Sequence, residues 1–146
     1  MKLLALSVCL LATIITTHAS TIAETALHGA VLSPEEIQKC YDDAHLTTDE
    51  LITDDEIKHD TYNLNADRAR KNGCFAACIL QKRGLIVDSE IQKDKLYAKE
   101  AHANLRPDVR AAIYTAVDRC VKKVETNPDV CDKSVELLAC LWKGFL

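Results

Sequence analysis

Two cysteines lie four residues apart in the middle of the chain, Cys74 and Cys78, and cysteine side chains can form disulfides or bind a metal. The residues around them predict a helix, on which positions i and i+4 share one face. Their Cβ atoms would lie about 5–6 Å apart, farther than the roughly 3.5–4.5 Å of a disulfide. We therefore expect each cysteine to pair with a different segment, so that this helix is held from two directions.

Catalytic and metal-binding patterns find little support. The four histidines beyond residue 19 are His28, His45, His59 and His102. None lies in a ligand-spaced pair or beside a nucleophile motif such as Gly-x-Ser-x-Gly, and no second Cys or His pair completes a zinc site with the cysteine pair. The acidic residues between positions 42 and 56 lack the spacing and the glycine of a calcium-binding EF-hand. We predict no catalytic residue, metal or cofactor, and therefore no enzyme.

The first residues predict a secretory signal peptide. One basic residue, Lys2, precedes an apolar run from Leu3 to Ile15, and the small residues Thr17 and Ala19 follow. We expect cleavage after Ala19. The run is shorter than the roughly 20 residues that a membrane span needs. We predict a signal peptide at residues 1–19 and a single secreted domain at residues 20–146.

Removal of the signal peptide changes the cysteine count and the charge. Of seven cysteines, Cys9 is lost and six remain, an even number that predicts three disulfides in an oxidising compartment. Loss of Lys2 moves the net charge from −4 to −5, since no acidic residue precedes Glu24. A mildly acidic chain without a basic cluster is a poor partner for nucleic acid or anionic lipid. Three disulfides, worth about 2–4 kcal/mol each, exceed what a core of this size requires and suit a scaffold that holds a cavity open.

Helical patterns predominate and no strand-like alternation is evident, which predicts an all-α fold. Ser33-Pro34-Glu35-Glu36 begins a helix with a capping residue, a proline and a glutamate in the expected order. Thr47 and Thr53 each precede acidic residues and predict two short helices. The helix that carries the cysteine pair should begin at residue 65 or 66 and end after Arg83, with Gly84 as its cap.

Three further features concern the middle and the end of the chain. Gly73 lies inside the predicted central helix, where it either allows another backbone to pack close by or is a tolerated defect of about 1 kcal/mol. Residues 85–87 predict an apolar connector, and Asp88-Ser89 leads to a modest helix containing Leu96, Tyr97 and Ala101. The clearest period follows Pro107, where one helix face carries Ile113, Tyr114, Val117, Cys120, Val121 and Val124. A last helix should carry Cys131, Val135, Leu138, Leu141 and Trp142.

The six cysteines together form the pattern Cys40-x33-Cys74-x3-Cys78-x41-Cys120-x10-Cys131-x8-Cys140. This pattern resembles the insect odorant-binding proteins of the pheromone-binding and general odorant-binding family, whose signature includes the x3 and x8 spacings. Three segments are similar to the local sequence of ant and other hymenopteran members: Asn72-Gly-Cys, Lys82-Arg-Gly-Leu-Ile86 and Cys131-Asp-Lys-Ser134. The first spacing is a few residues longer than usual, which affects the early helix boundaries and not the fold.

The resemblance implies a fold and a disulfide pairing. The fold would be a six-helix, disulfide-braced bundle around an apolar cavity. The implied disulfides are Cys40–Cys78, Cys74–Cys131 and Cys120–Cys140, whereas the residues alone exclude only the pairings that join Cys74 to Cys78.

The resemblance also implies a set of binding residues. Family positions that line the pocket correspond to Ala76, Leu80, Leu85, Tyr114, Val117, Val121, Leu137 and Leu141. To these we add Trp142 and Phe145, because the final segment is apolar enough to form a wall or lid. Any of these residues is also compatible with an ordinary core, since pocket walls and cores use the same residue types.

The implied function is a non-catalytic carrier of a small hydrophobic ligand, such as an odorant, a pheromone or a lipid-like molecule, in sensillar lymph or haemolymph. Tyr114 and Trp142 would offer it polar contacts. The implied partners are that ligand and a membrane chemoreceptor, with the chain a monomer or weak homodimer that does not insert stably into a membrane. The alternative is an extracellular signalling or protein-interaction module on the same scaffold without a ligand. A secreted hydrolase of the phospholipase kind is a weaker reading, because the sequence lacks adjacent cysteines followed by a His-Asp pair.

Overall fold

The computed structural model describes residues 32–100 and 102–144. Within these ranges the chain forms six α-helices: α1 Pro34–Asp43, α2 Asp54–Lys58, α3 Ala66–Lys82, α4 Lys93–Leu96, α5 Pro107–Val124 and α6 Val130–Lys143. A 3-10 turn at Thr48–Glu50 precedes α2, and a hairpin of β1 Ile86–Val87 and β2 Glu90–Ile91 separates α3 from α4. The predicted all-α, disulfide-braced class is confirmed. The predicted signal peptide, Ala101 and Phe145 lie outside the described residues.

Helix α1 begins at the predicted cap and is fastened to α3. The Ser33 hydroxyl accepts the Glu36 N–H at 3.2 Å, and the Glu36 carboxylate accepts the Ser33 N–H at 2.9 Å. These bonds satisfy two backbone donors that a helix start leaves unpaired. At its other end, Cys40 is fully buried and bonded to Cys78. The Tyr41 ring lies 4.3 Å from the Phe75 ring, measured between centroids, so a covalent and an aromatic contact hold α1 against α3.

The segment between α1 and α3 contains the predicted pair of short helices, although the first is a 3-10 helix and not an α-helix. The Thr53 hydroxyl caps α2 as expected, accepting the Glu56 N–H at 3.3 Å. Thr47 caps the 3-10 helix Thr48–Glu50, and the Glu50 carboxylate accepts the Thr47 N–H at 3.0 Å. The carbonyls of Glu50 and Leu51 accept bonds from the Arg68 guanidinium at 2.8 and 2.7 Å instead of continuing a helix.

Side chains of α3 hold this segment in place, and we call Glu50, Glu56, Arg68, Lys71 and Asn72 the polar clamp. Arg68 forms an ion pair with Glu56, and Lys71 donates to Glu50 at 2.9 Å. The Asn72 amide accepts the Ile52 N–H at 3.0 Å and donates to the Glu50 carbonyl at 2.9 Å. A hydrogen bond from Lys71 lowers the pKa of Glu50 to about 2, and one from Arg68 lowers the pKa of Glu56 to about 2.

Helix α3 ends as predicted. Gly84 has φ +65°, a left-handed conformation that glycine adopts without steric cost. The Leu85 N–H donates to the Leu80 carbonyl and the Gly84 N–H donates to the Gln81 carbonyl, both at 2.8 Å. This is the Schellman arrangement, which satisfies carbonyls at the helix end. It also turns Leu85 back toward Leu80 and starts the hairpin.

The hairpin replaces the predicted connector, and the modest helix predicted beyond it is shorter than expected, because α4 ends at Leu96. Ile86 pairs with Ile91 and Val87 with Glu90. Asp88 and Ser89 both have positive φ, +50° and +66°, as a tight two-residue hairpin turn requires. These backbone angles cannot belong to a right-handed helix, so helical structure resumes only at Lys93–Leu96.

Helix α6 packs on α3 at Gly73. A Cβ atom at residue 73 would lie 2.8 Å from the carbonyl carbon of Cys131 and 3.4 Å from the Cβ of Val135. The adjacent Cys74 is bonded to Cys131, with 4.2 Å between their Cα atoms. Of the two alternatives for Gly73, close backbone approach is therefore the one observed.

The third disulfide, Cys120–Cys140, joins α5 to α6. On α5 the predicted apolar stripe points inward, with Val117, Cys120, Val121 and Val124 all buried. The three bonded pairs are those that the family resemblance implies. Together they connect α1 to α3, α3 to α6 and α6 to α5.

Replacement of Gly73 by alanine should destabilise the protein. The added methyl would overlap the Cys131 backbone, and overpacking costs about 1–3 kcal/mol, more than the roughly 1 kcal/mol of helix propensity that alanine gains. We expect urea unfolding of the oxidised Gly73→Ala variant to show a net loss of up to about 2 kcal/mol. Gly144→Ala is the control, since residue 144 has φ −69° and its nearest new contact would be 3.2 Å. Equal stability of the two variants would contradict the close contact.

Stability should fall in acid because of the polar clamp. The pKa values of Glu50 and Glu56 are about 2 in the folded chain, below their ordinary value near 4.3. Their contribution is therefore complete above about pH 5 and is lost as the pH falls toward 2. Thermal unfolding between pH 7 and pH 2 should show this loss. The double variant Glu50→Gln/Glu56→Gln should be less stable at pH 7, and its unfolding temperature should fall less between pH 7 and pH 2. Glu125→Gln, at an exposed site, should keep the original profile.

Candidate functional site

Apolar side chains from α3, the hairpin, α5 and α6 meet in one group, which we call the central cluster. Its buried members are Leu80, Ile86, Val117, Cys120, Val121, Val124 and Leu137. Partly buried residues pack against it: Leu85, Ile91, Leu96, Tyr97, Ile113, Val130, Leu138, Cys140 and Leu141. Three disulfide-joined helices, α3, α5 and α6, therefore surround the cluster, and the hairpin and α4 cover its remaining side.

The structure brings most of the predicted binding residues to this cluster. Leu80, Val117, Val121 and Leu137 are buried members, and Leu85 and Leu141 pack against it. Ala76 is buried on α3 but is not a member. Tyr114 and Trp142 are half-buried, the former at the edge described below. Phe145, the remaining predicted binding residue, lies outside the described residues.

Several cluster residues were missed in the sequence. Ile86 is only 1 % exposed, although its segment was expected to be a connector. The hairpin directs Ile86 and its partner Ile91 to the same face, and α4 adds Leu96 and Tyr97. The available signal was one short apolar run, Leu85-Ile86-Val87, followed after two polar residues by the single isoleucine Ile91. It was weak because Asp88-Ser89 lacks the glycine that usually marks such a turn.

An aromatic edge borders the cluster where α4 meets α5. The rings of Tyr97 and Tyr114 lie 4.8 Å apart and are inclined by 59°, a favourable tilted arrangement. The His102 ring lies 6.4 Å from that of Tyr114. His102 Nδ1 donates to the Tyr97 carbonyl at 2.7 Å, which sets the position of this ring. This edge therefore combines the aromatic rings of Tyr97, Tyr114 and His102 with their hydroxyl groups and ring nitrogens.

Asp118 fastens α4 to α5 beside this edge. Its carboxylate accepts a bond from the Tyr97 hydroxyl and one from the Lys93 ammonium, each at 2.6 Å. The bonds from Lys93 and Tyr97 lower the pKa of Asp118, and the bond to Asp118 raises the pKa of Lys93. Since Lys93 and Asp118 are about half exposed, these contacts hold α4 with modest strength.

A buried lysine supports the hairpin from α6. Lys133 is 6 % exposed, and its ammonium group donates to the Ser89 carbonyl at 2.8 Å. This carbonyl belongs to the turn between β1 and β2. The bond therefore ties the hairpin to the start of α6, where the Cys74–Cys131 disulfide also lies.

The arrangement offers apolar contact and few polar groups. Trp142 is one exception, because its indole nitrogen is buried and has no hydrogen-bond partner in residues 32–100 and 102–144. Within the same residues no group of three or more His, Cys, Asp or Glu side chains is placed to hold a metal ion. None of the described helices is both long and apolar enough to cross a membrane.

Residues 33–144 match the PBP/GOBP family. The chain belongs to this family. The match spans all six helices and the six bonded cysteines, and it confirms the family expected from the cysteine spacing.

Curated relatives include proteins from species of Solenopsis. The pheromone-binding protein Gp-9 of Solenopsis nigella gensterblumi is 28% identical over 146 residues, covering 97% of this chain and 91% of the relative. Gp-9 of Solenopsis electra is 29% identical, covering 73% and 71%, and Gp-9 of Solenopsis quinquecuspis is 30% identical, covering 70% and 67%. No solved structure matches the chain significantly.

Loss of the Asp118 carboxylate charge should loosen α4. In Asp118→Asn the ion pair with Lys93 is gone and the bond from the Tyr97 hydroxyl is weakened, so backbone amides of α4 should open more often. Hydrogen exchange should become several-fold faster at the amides of Leu96 and Tyr97, which donate to Gln92 and Lys93. Asp108→Asn serves as control, because Asp108 pairs only with its neighbour Arg106 on the surface. Equal exchange in both variants would show that Asp118 does not hold α4.

Proposed function

We propose that this protein is a secreted, non-catalytic carrier that binds a small hydrophobic molecule, such as an odorant, a pheromone or a lipid-like compound. One observation carries the proposal: a chain of the PBP/GOBP family gathers apolar side chains from three disulfide-joined helices into the central cluster. The relatives named above are called pheromone-binding proteins, which supports a ligand of this class.

The binding residues would be those predicted from the sequence together with the side chains that the hairpin and α4 add. Tyr114, Val117 and Val121 follow one another at helical spacing on α5 and share one face. Leu80 and Leu137 face the same cluster from α3 and α6. A ligand between these helices would have its apolar area removed from water, which stabilises the complex by about 25 cal/mol per Å². The entropy cost of association reduces this gain.

The scaffold suits this role because the helices that carry the cluster are covalently joined. A site that is already ordered before the ligand arrives loses less conformational entropy on binding. The bonds Cys74–Cys131 and Cys120–Cys140 limit how far α3, α5 and α6 can separate or collapse. We propose that they keep an apolar cavity open beside the cluster.

Secretion and partners complete the proposal. The predicted signal peptide at residues 1–19 would direct residues 20–146 to an extracellular fluid such as sensillar lymph or haemolymph. There the protein would move its ligand through water toward a membrane chemoreceptor, as a monomer or weak homodimer. Olfaction is one setting for such transport.

The proposal is tested on the secreted, oxidised protein. Native mass spectrometry should show the mass of three disulfides together with a retained small molecule. After delipidation, the fluorescent probe N-phenylnaphthylamine should bind saturably and be displaced by apolar compounds. Absence of saturable uptake by any apolar compound would overturn the carrier function. It would favour the alternative of an interaction module that uses the same scaffold without a ligand.

A larger side chain in the cluster should block uptake. Val117 is 3 % exposed, so the ring in Val117→Phe would occupy space that the ligand needs, and we expect probe affinity to fall about tenfold or more. Val109→Phe is the matched control, because Val109 is on the same helix but 41 % exposed. Circular dichroism and the three-disulfide mass check that both variants fold. Equal probe affinity in the two folded variants would place the ligand elsewhere.

A further inference from the structure

The hairpin between α3 and α4 packs against the central cluster, although it is too small to be stable by itself. Each of its strands has two residues, and an isolated two-stranded hairpin is marginally stable at best in water. Ile86 is nevertheless 1 % exposed and belongs to the cluster, whereas its neighbour Val87 is 44 % exposed. A contact outside the strands is therefore needed to keep one face of the hairpin on the cluster and the other in solvent.

The turn of the hairpin has a backbone conformation that needs support. Asp88 and Ser89 have φ +50° and +66°, in the left-handed region that L side chains enter only at a steric cost. Such conformations persist where the surrounding structure fixes them. A hydrogen bond to the backbone of this turn therefore determines both its conformation and the position of the two strands.

Lys133 of α6 supplies this bond. Its ammonium group donates to the Ser89 carbonyl at 2.8 Å. Lys133 is three residues after Val130 and four before Leu137, so the three side chains share one face of α6. Both apolar residues contact the cluster. The methylene chain of Lys133 therefore runs along the cluster side of α6, while its ammonium group reaches the hairpin turn.

The burial of this lysine is not explained by an ion pair. Lys133 is only 6 % exposed, and lysine is rarely buried without a charged partner. Within residues 32–100 and 102–144 no carboxylate pairs with its ammonium group. The Ser89 carbonyl is the acceptor that it reaches, so its contact with the hairpin is the interaction that accounts for its placement.

We infer that Lys133 positions one wall of the proposed ligand site by holding the hairpin through the Ser89 carbonyl. The wall consists of Ile86 and Ile91, which lie directly opposite each other in the two strands and therefore share one face. Both contact the central cluster. This inference rests on the proposed carrier function and adds a residue that acts on the ligand only through the hairpin.

The position of this wall affects affinity in a specific way. When the hairpin leaves the cluster, Ile86 no longer contacts a ligand there. The apparent affinity is then reduced by the fraction of molecules in which the wall is in place. A side chain that holds the hairpin closed raises that fraction and lowers the ordering cost of binding.

The first test removes the ammonium group and keeps an unbranched side chain. In Lys133→Met, the Gln92 N–H, which donates to the Leu85 carbonyl at 2.8 Å, should exchange about tenfold faster, the effect of roughly one lost hydrogen bond. Amides within α3 should keep their exchange rates, and N-phenylnaphthylamine should bind at least twofold more weakly. Lys122→Met is the matched control, because Lys122 is exposed on α5, and it should change none of these quantities.

Two results of this test contradict the inference. An unchanged exchange rate at Gln92 would show that Lys133 does not hold the hairpin. An equal acceleration at Gln92 and throughout α3 would show a general loss of stability and no positioning role.

The second test uses the unmodified protein and decides if the variant does not fold. Acetic anhydride acetylates free lysine amines, and mass spectrometry gives the rate at each lysine. Lys133 should react several-fold more slowly than Lys122. Saturating N-phenylnaphthylamine should slow Lys133 further, because a ligand against Ile86 stabilises the closed hairpin. Equal rates at the two lysines would exclude the bond to Ser89, and a rate at Lys133 that the bound probe leaves unchanged would exclude the wall.

The two proposals fail in different ways. If the unmodified protein takes up neither the probe nor any other apolar compound, the carrier function is wrong and the inference falls with it. If it binds the probe and folded Lys133→Met binds it with unchanged affinity, only the positioning role of Lys133 is wrong.

Discussion

The contact between α3 and α6 at Gly73 is the constraint on which the rest of the architecture depends. The absence of a side chain there brings the Cys131 backbone against α3, and the neighbouring Cys74 can then bond to Cys131. Once α6 is placed, its Cys140 determines where Cys120 and α5 lie. A larger residue at position 73 would displace α6, and the Cys120–Cys140 disulfide would displace α5 with it.

Segments without a disulfide are held by a different kind of interaction. The polar clamp fastens the chain around α2 through charged side chains and backbone carbonyls. At the other side, α4 relies on Asp118 and the hairpin on Lys133. These contacts are weaker than covalent bonds, and those that involve a charged group depend on pH and salt. The structure therefore combines a covalent frame of four helices with two segments attached by hydrogen bonds.

Local features of the fold could be predicted from the sequence, whereas features that depend on distant residues could not. The caps at Ser33 and Gly84 are set by residues within one turn, and the α5 stripe by the helical period. The helix after Thr47 ends where the Glu50 and Leu51 carbonyls bond to Arg68, which is remote in sequence. The hairpin depends on positive φ at Asp88 and Ser89, which few residue types other than glycine signal.

The same division applies to the candidate site. Leu80, Val117 and Leu137 lie on long helices and belong to the cluster. Their positions were predictable because the helical period and the cysteine spacing determine which face of the helix they occupy. Ile86 and Tyr97 were not, because they reach it through the hairpin and the very short α4. Gly73 was an intermediate case. A glycine in a helix indicated that another backbone could pack closely there, but only the structure shows that this is the backbone of Cys131.

The weaker attachments also indicate which side of the cluster opens most easily. Separation of α3, α5 and α6 is limited by Cys74–Cys131 and Cys120–Cys140, so large openings between these helices are costly. The hairpin and α4 cover the same cluster without a disulfide. Lys133 and Asp118 hold them, together with Lys95, which donates to the Gly84 carbonyl at 3.0 Å. Local opening occurs where the stabilising contacts are fewest. Local opening of the cluster is therefore expected on this side, while the disulfide-joined helices keep the rest of the apolar surface in place.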